Sequence, residues 1–371
     1  MSENLIRIHF RPGAYQRANA YSSGTINYWP WQTLDALRPS LDIAAVNTGR
    51  QYNMPPGPYG IVFDDVEGLH AVVYEDGRMA LTSGIEMPMA AYRGQTREHR
   101  PCVPGLARLQ HLGDQFLAIC RSVAFEDAIA DHPYVQFSSQ ARLLDTPLRI
   151  DLEGMAQHYG LATDLLDVTS NYDVASFFAT CEWNDVQHSF QPVLFSEQPG
   201  VMYRFAPCLL TGADASAQFQ HVGWQPLHRP AQQRADALRM KKGQDFGSLP
   251  AVQRVRFRHS AKVSHRIWQS FDKGRSLFPK DAAAELAEQA KLLMTFTNQQ
   301  LERAWQRLAE WHANSLTEMQ RESAIADSGL ALVDHAVLNW DGLDVERDEG
   351  RMRSQLQMVL EQVRYRLAAY G

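Results

Sequence analysis

The sequence predicts an α+β fold, and three stretches of the chain support this prediction. Up to about residue 85, short β-prone runs alternate with turn-forming residues. The middle of the chain mixes helical and strand-like spacing. From Asp281 onward, apolar residues recur at every third or fourth position, as in amphipathic helices. We therefore expect a β-rich N-terminal segment, a mixed β-sheet core with flanking helices, and a helical C-terminal region.

Composition and missing motifs limit the classes of function. The chain has 371 residues, 45% of them hydrophobic, and a formal net charge of −6, so no global positive field would hold a nucleic-acid backbone. The four cysteines lack the spacing of a zinc site, which indicates reduced thiols and no metal. No phosphate-binding loop, HExxH or GxSxG motif is present. No apolar run approaches the ~20 residues of a membrane span, and no targeting signal is visible. We expect a cytoplasmic protein that does not bind membranes.

The N-terminal segment carries two strand signals. Residues 5–10 alternate apolar and polar side chains, and residues 70–81 form two β-prone runs around an Asp-Gly turn, as in a hairpin. The prolines of residues 53–58 predict a loop. The aromatic cluster at residues 28–31 could stack on bases, but no basic residues are interleaved with it, which favours a core or interface role.

Helical spacing begins in the middle of the chain. Apolar residues recur at intervals of three and four between residues 106 and 135, which predicts a core-facing helix. A further helix is expected over residues 143–155, after Pro147. It should end near Tyr159, because Gly160 suits the left-handed conformation of a helix C-cap.

A strand is then expected to pass directly into another helix. Residues 165–168 predict a short buried strand, and Asn171 predicts the cap of a helix over residues 174–183. Thr169 and Ser170 therefore stand at a strand-to-helix junction, where hydroxyls and free backbone N–H groups suit ribose and phosphate oxygens. Ordinary helix capping is the alternative, and it is slightly favoured when this stretch is considered alone.

Arg93 is a candidate ligand-binding residue on an earlier strand. Residues 89–96 lead from apolar side chains into an arginine followed by Gly94. A strand that ends in arginine presents the guanidinium at the sheet edge, and the glycine would let a ligand approach the backbone. Taken alone, an exposed arginine in a salt bridge is the favoured interpretation.

Strand and basic patterns follow the central helices. Residues 193–195 and 200–205 predict strands, and residues 254–258 predict a strand with its apolar side on the core and its arginines in solvent. The basic cluster at residues 239–242 could face a phosphate, although a solvated surface is favoured.

The C-terminal region predicts long helices. Apolar residues from Leu286 to His312 form one amphipathic stripe, which is typical of a core helix or of a helix that binds a protein partner. His312 is expected to pack rather than to catalyse. Residues 317–350 are acidic and predict loops, and residues 354–367 predict a last amphipathic helix.

Three separated motifs resemble the FRG domain, a bacterial domain named after a Phe-Arg-Gly motif. Residues 92–95, Tyr-Arg-Gly-Gln, are similar to its first motif with tyrosine in place of phenylalanine. Residues 157–179 resemble its central motif. Arg229 and Gln233 match its third motif, and residues 277–279 resemble its usual ending.

The order of these motifs is similar to that of ADP-ribosyltransferases. The resemblance implies a split mixed β-sheet core of the ADP-ribosyltransferase-like type, with NAD as the substrate. It implies a catalytic arginine for the pyrophosphate, Arg93, hydroxyls for the nicotinamide ribose, Thr169 and Ser170, and an acceptor for the ribose 2′-OH, Gln233. Five neighbouring residues are expected to contact the nucleotide: Tyr92, Gly94, Gln95, His158 and Asp167.

Departures from the family pattern leave some roles open. Residues 162–164, Ala-Thr-Asp, replace the usual Pro-Thr-Arg, so a negative charge stands where the family has a positive one. Alanines replace the glycine and phenylalanine of the third motif, which leaves the choice between Gln232 and Gln233 open. His158 could be an acid-base group or a structural histidine, and Asp167 could bind the ligand or cap the backbone. A neutral glutamine also stabilises positive charge on the ribose less than a carboxylate does.

We predict three regions and two main hypotheses for the function. The regions are a β-rich domain at residues 1–87, the FRG domain at residues 88–285 and a helical region at residues 286–371. The first hypothesis is an ADP-ribosyltransferase or NAD glycohydrolase, a bacterial toxin or phage-defence effector whose acceptor is protein or nucleic acid. The alternative is a non-catalytic module of a defence system that senses a nucleotide or binds a partner through the C-terminal helices. The acidic balance and the lack of a carboxylate cluster for metal disfavour a nuclease.

Overall fold

A computed structural model describes most of the chain from residue 33 to residue 364. The described ranges are residues 33–41, 51–53, 62–64, 68–74, 76–84, 90–210, 217–249 and 252–364. The strand expected at residues 5–10, the aromatic cluster at residues 28–31 and most of the loop expected at residues 53–58 lie outside them.

The described residues form an α+β structure, as predicted. The α-helices are Leu34–Leu41 (α1), Leu112–Ala130 (α2), Pro133–Ser139 (α3), Leu152–His158 (α4), Tyr172–Thr180 (α5), His228–Gln232 (α6), Ala261–Ser270 (α7), Ala282–Leu292 (α8), Asn298–Trp311 (α9), Glu318–Ser328 (α10) and Glu349–Glu361 (α11). The strands are Gln51–Asn53 (β1), Val62–Asp64 (β2), Gly68–Val73 (β3), Met79–Gly84 (β4), Ala91–Gln95 (β5), Arg142–Leu143 (β6), Thr146–Pro147 (β7), Leu165–Thr169 (β8), Cys181–Asn184 (β9), Ser189–Pro192 (β10), Gly200–Phe205 (β11), Ala217–His221 (β12), Ala235–Met240 (β13), Val252–Phe257 (β14), Thr295–Phe296 (β15), Ala331–Leu332 (β16) and Val363–Arg364 (β17). None of the described helices is long and apolar enough to cross a membrane.

A six-stranded sheet in the order β12-β13-β8-β5-β11-β14 forms the core. Each pair of neighbouring strands is antiparallel, so the expectation of a mixed sheet is wrong. The reason lies in the long connection from β5 to β8, which contains three helices and the β6-β7 hairpin and brings the chain back in the opposite direction.

The sheet is nearly divided in its middle. Strands β11 and β14 are paired over six residues, and β8 and β13 over five. In contrast, the described residues of β5 and β8 share the single pair Tyr92 and Thr169. The sheet therefore consists of two three-stranded halves that are joined by one residue pair.

Helix α5 packs closely on one face of β5. A Cβ atom at Gly94 would lie 1.9 Å from the carbonyl oxygen of Ala175 and 2.7 Å from the backbone nitrogen of Ala179. Next to this contact, the rings of Tyr92 and Tyr172 pack edge to face at 5.5 Å. Gly94 is therefore needed for helix packing, and the expectation that it lets a ligand approach the backbone stays a prediction.

Strand β17, at the C-terminal end of the described residues, joins β3 and β4 in a small three-stranded sheet. Strands β3 and β4 form the predicted hairpin, with Gly77 at a φ of 77° in its turn. The C-terminal strand β17 pairs in parallel with β3, placing Val363 beside Leu69. The β-rich and helical terminal regions thus contribute to one sheet.

Two helix predictions need correction. Residues 143–155 do not form one helix, because Leu144 and Asp145 take positive φ values of 49° and 62° and turn the chain in a hairpin. Helix α4 begins only after Asp151, whose carboxylate accepts from the backbone N–H of Gly154. Helix α5 begins at the predicted Asn171 cap but ends at Thr180, where strand β9 starts.

The C-terminal stripe is interrupted. The apolar spacing from Leu286 to His312 is divided between α8 and α9, because Thr297 and Gln300 form a capping box that starts a new helix. Helix α10 occupies residues that were expected to be loop, behind a second capping box at Thr317. Helix α11 is the predicted last helix, although it begins five residues earlier.

The strand predictions around β11 are mixed. Residues 200–205 form β11 as predicted, whereas residues 193–195 lie beyond the end of β10 and form no strand. In β14 the apolar side faces the core as expected, but Arg254 and Arg256 are bound by Glu98 at 3.0 and 2.6 Å. They are therefore not simply solvated.

Candidate functional site

Residues that are remote in sequence meet where the two halves of the sheet are joined. The Nη1 atom of Arg93, on β5, donates to the carbonyl oxygen of Asp167, on β8, at 2.5 Å. At the end of β8, the Oγ1 atom of Thr169 donates to the carbonyl oxygen of Gln233, which lies just before β13, at 3.0 Å. Thr169 and Gln233 are thus joined directly, and Arg93 is bonded to the same strand as Thr169, two residues away at Asp167.

The C-terminus of α4 brings His158 to this junction. Gly160 has a φ of 87°, and the N–H of Leu161 returns to the carbonyl of Ala156, which ends the helix as predicted. The side chain of His158 is then buried between β8 and the turn before β13. Its Nδ1 atom lies 2.9 Å from Oε1 of Gln233, and its Nε2 atom lies 3.8 Å from Oδ1 of Asp167.

The structure distinguishes the two glutamines of the third motif. Gln232 is exposed, whereas Gln233 is buried and its Nε2 atom donates to the carbonyl oxygen of Leu277 at 3.0 Å. The left-handed φ of Arg234, 44°, turns the chain from α6 into β13 directly after it. Both ends of the Gln233 amide are therefore held inside the protein.

The two hydroxyls at the end of β8 hold the backbone. Thr169 is buried, and its Oγ1 atom also accepts from the N–H of Asn171 at 3.1 Å. The half-buried Ser170 donates to the carbonyl of Ser83, on β4, at 3.2 Å. Asn171 caps α5 by accepting from the N–H of Val174. The junction is thus rigid, and Ser170 lies nearer the surface than Thr169.

Asp167 places a carboxylate at the surface of this cluster. Its side chain is 44% exposed, whereas that of His158 is 3% exposed. Its Oδ2 atom accepts from Nε2 of Gln157 at 3.1 Å, and Oε1 of Gln157 in turn accepts from Thr163. Gln157 was not assigned a role from the sequence, although its position beside His158 in the central motif could have suggested one.

Positive charge gathers near Arg93. Burial lowers the pKa of His99, and the guanidinium groups of Arg97, Arg108 and Arg93 lower it further. Burial also lowers the pKa of Arg108, with Arg93 again contributing. Several cations close together repel one another, so this side of the site favours an anionic ligand group.

Comparison with known protein families agrees with the motifs. Residues 89–188 match the family model of the FRG domain. The chain contains an FRG domain. The matched range holds the first and central motifs, whereas Gln233 lies beyond it. No curated protein and no solved structure matches the chain.

Three predicted nucleotide contacts of the FRG domain are engaged in its interior. Tyr92 is buried against Tyr172, and Gly94 lies under helix α5. Gln95 is buried with its Nε2 atom 3.5 Å from the sulfur of Cys102. Their roles as NAD contacts stay predictions. Arg93, Asp167 and Ser170 are only partly buried, and we call these three residues the rim of the site.

Arg229, the third-motif arginine, stabilises the end of α4. Its guanidinium lies 4.5 Å from the ring centre of Tyr159 and 5.5 Å from that of Phe278. It also donates to the carbonyl of His158 at 3.3 Å, while the hydroxyl of Tyr159 donates to Asp281 at 2.6 Å. Arg229 and Phe278, which lie beyond the residues matched to the FRG domain, thus help to fix the position of His158.

A cavity of about 380 Å³ lies behind the site, between the FRG domain and α9. Three charged residues of its lining are paired with one another: Arg239 binds Asp164 at 2.8 Å and also binds Glu153. Burial raises the pKa of Asp164 to about 6 and Glu153 adds to the shift, although Arg239 opposes it. The unusual aspartate of the central motif therefore pairs with Arg239, which is not the solvated residue that was expected. Within the described ranges, no cluster of His, Cys, Asp or Glu could hold a metal ion.

Proposed function

We propose that the FRG domain is an ADP-ribosyltransferase-like unit that binds NAD and breaks its nicotinamide–ribose bond. One observation supports this most strongly: the join between the two halves of the sheet, at Tyr92 and Thr169, carries Arg93 and Asp167 side by side. The split of the sheet also supports an ADP-ribosyltransferase-like fold, with antiparallel pairing throughout.

The chemistry of NAD cleavage fits the charges of the site. The departing nicotinamide leaves positive charge on the ribose, while the pyrophosphate carries negative charge throughout. Arg93 and the neighbouring cations would hold the pyrophosphate, since guanidinium binds phosphate oxygens through two parallel hydrogen bonds. Ser170, at the rim, would hold a ribose hydroxyl.

The proposal is tested by measuring NAD binding and nicotinamide release in two arginine variants. Arg93→Ala removes the guanidinium beside Asp167, and we expect NAD affinity to fall about tenfold or more because a charge-assisted bidentate contact is lost. Arg142→Ala is the matched control, because Arg142 is exposed in the β6-β7 hairpin and donates only to the carbonyl of Asp145 in that turn.

Wild type and Arg142→Ala should release nicotinamide at equal rates, and Arg93→Ala should release it far more slowly. Equal rates in all three proteins would contradict the role of Arg93. The same variants test the cellular role as a bacterial toxin or phage-defence effector. Expression of wild type should arrest growth and lower cellular NAD, whereas expression of Arg93→Ala should not.

A non-catalytic nucleotide sensor or partner-binding module is the second candidate. It is favoured by the amide of Gln233, both ends of which are engaged with Leu277 and His158. A residue held in this way does not reach a ribose hydroxyl. Thermal stabilisation by NAD without any nicotinamide release from wild type would favour this second function.

A further inference from the structure

The orientation of the Gln233 side chain fixes the position of one proton on His158. The Nε2 atom of Gln233 is assigned to the contact with the Leu277 carbonyl, because only the amino end of the amide can donate there. Its Oε1 atom therefore faces His158 Nδ1 at 2.9 Å. An oxygen acceptor needs a donor opposite it, so Nδ1 carries the hydrogen.

The other nitrogen of His158 is left facing a carboxylate oxygen. In neutral imidazole, a protonated Nδ1 leaves Nε2 with a lone pair. The Nε2 atom lies 3.8 Å from Oδ1 of Asp167. Neither of these two atoms has a hydrogen-bond partner among the described residues. Two buried acceptors that face each other without a hydrogen between them are unfavourable.

Asp167 is held by its neighbours in an orientation that keeps it at the surface. Gln157 donates to Oδ2, and the Gln157 amide is oriented by the hydroxyl of Thr163. Arg93 donates to the Asp167 backbone carbonyl. The Asp167 side chain is 44% exposed although its Oδ1 atom is buried, so Asp167 is the member of the Gln233-His158-Asp167 series that a ligand can reach, through its other atoms.

We propose that Asp167 is the catalytic carboxylate of the site, and that His158 and Gln233 are positioning residues. This inference rests on the proposed cleavage of NAD. It reverses the roles expected from motif order, in which Gln233 contacted the ribose. A carboxylate also removes the difficulty that a neutral amide stabilises a positively charged ribose weakly.

The reaction balances with water or an acceptor hydroxyl as the nucleophile. The bond between C1′ and the nicotinamide nitrogen breaks, and its electron pair stays on the nitrogen, which leaves as neutral nicotinamide. The nucleophile oxygen forms the new bond to C1′. Its proton passes to the Asp167 carboxylate, whose buried oxygen, Oδ1, lies 3.8 Å from Nε2 of His158.

The role of Asp167 is tested by Asp167→Asn, with Asp185→Asn as the control. Asp185 is exposed in the turn between β9 and β10. We expect kcat for nicotinamide release to fall about 100-fold or more in Asp167→Asn, while KM for NAD changes by less than about threefold. Asp185→Asn should match wild type. If Asp167→Asn kept more than a third of the wild-type kcat, Asp167 would not be the catalytic carboxylate.

The role of Gln233 is tested by Gln233→Met, with Gln232→Met as the neighbouring control. Methionine keeps the length of the side chain but provides no amide, so the His158 ring loses its partner at Nδ1. We expect kcat to fall about 10- to 100-fold through misplacement of the ring, with little change in KM. Gln232→Met alters an exposed side chain and should match wild type.

NMR of the labelled imidazole nitrogens gives a readout that does not depend on turnover. At neutral pH, wild type should have a protonated Nδ1 and a bare Nε2 on His158, and Gln233→Met should lose this preference. A bare Nδ1 with a protonated Nε2 in wild type would overturn the inference. Absence of nicotinamide release from wild type would overturn the proposed function itself, whereas an active Asp167→Asn protein would overturn the inference alone.

Discussion

Gly94 is an example of a motif residue whose importance is structural. Alanine at this position would bring its Cβ atom to 1.9 Å from the carbonyl oxygen of Ala175, which is backbone and cannot move aside without shifting helix α5. We expect Gly94→Ala to lower the free energy of unfolding by about 3 kcal/mol or more.

Urea unfolding of Gly94→Ala and Gly77→Ala measures this difference. No atom lies within 4 Å of a Cβ at Gly77, so alanine there meets only the strain of a φ of 77°, about 1 kcal/mol. If both variants lost the same stability, close packing under α5 would not be the reason for Gly94.

The local chemistry of single residues was predictable, but their distant partners were not. Gly160 and Asn171 end and begin helices as the sequence indicated, because both effects depend on neighbouring backbone groups. The partners of Ser170 and Thr169, which are Ser83 and Gln233, lie many residues away. No local pattern indicates that the Thr169 hydroxyl is used within the protein.

At the scale of elements, His132 begins helix α3 in its neutral form. Its Nδ1 atom accepts from the N–H of Tyr134, and its ring packs against Trp340 at 4.7 Å. Burial lowers the pKa of His132 to about 4, and the opposing effect of Asp281 is smaller. Between pH 4 and the ordinary value near 6.5, the unfolded chain therefore binds more protons than the folded protein, so stability rises with pH.

We expect His132→Asn to weaken this pH dependence, because asparagine also caps helices but does not titrate. The shift in pKa corresponds to at most about 3 kcal/mol between pH 4 and pH 7. Urea unfolding of wild type and His132→Asn at pH 4 and pH 7 measures this pH dependence of stability. An equal loss of stability at low pH in wild type and variant would mean that His132 does not contribute.

Element boundaries were predictable where the sequence carries a capping signal. The capping box of Thr297 and Gln300 breaks the C-terminal stripe by starting α9. A second capping box, of Thr317 and Gln320, starts α10. Both boxes are present in the sequence as Thr-x-x-Gln, but the spacing of apolar residues does not mark them. The hairpin turn at Leu144 and Asp145 was different, because leucine seldom adopts a positive φ and gives no sign of a turn.

At the scale of the whole molecule, a buried ion pair joins the FRG domain to the C-terminal helices. Glu126, on α2, is almost fully buried and receives two hydrogen bonds of 2.6 Å from Arg307, on α9. Burial raises the pKa of Glu126, and Arg307 opposes that shift. Removal of one partner leaves the other without its main counter-charge in an apolar setting.

We expect Arg307→Leu to lower the free energy of unfolding by about 3 kcal/mol, and the double variant Arg307→Leu with Glu126→Leu to be more stable than the single one. Arg275→Leu, which removes an exposed ion pair with Asp272, should leave stability unchanged. Urea unfolding of these proteins checks the ranking. A double variant with a lower free energy of unfolding than Arg307→Leu would contradict this ranking.

The overall class of the fold followed from the sequence, whereas its assembly did not. Helical and strand spacing indicated an α+β protein, and the motifs indicated that Arg93, Thr169 and Gln233 belong together. The single pair of Tyr92 with Thr169 and the pairing of Val363 beside Leu69 depend on contacts across the entire chain. The orientation of Gln233 toward Leu277 likewise emerged only from tertiary structure.

The central claim is that the site at Arg93 and Asp167 cleaves NAD. Its most direct test is the rate at which purified wild-type protein releases nicotinamide from NAD, measured in parallel with Arg93→Ala and Asp167→Asn. The account predicts steady release by wild type and loss of that release in both variants. Release by wild type no faster than by either variant would contradict it.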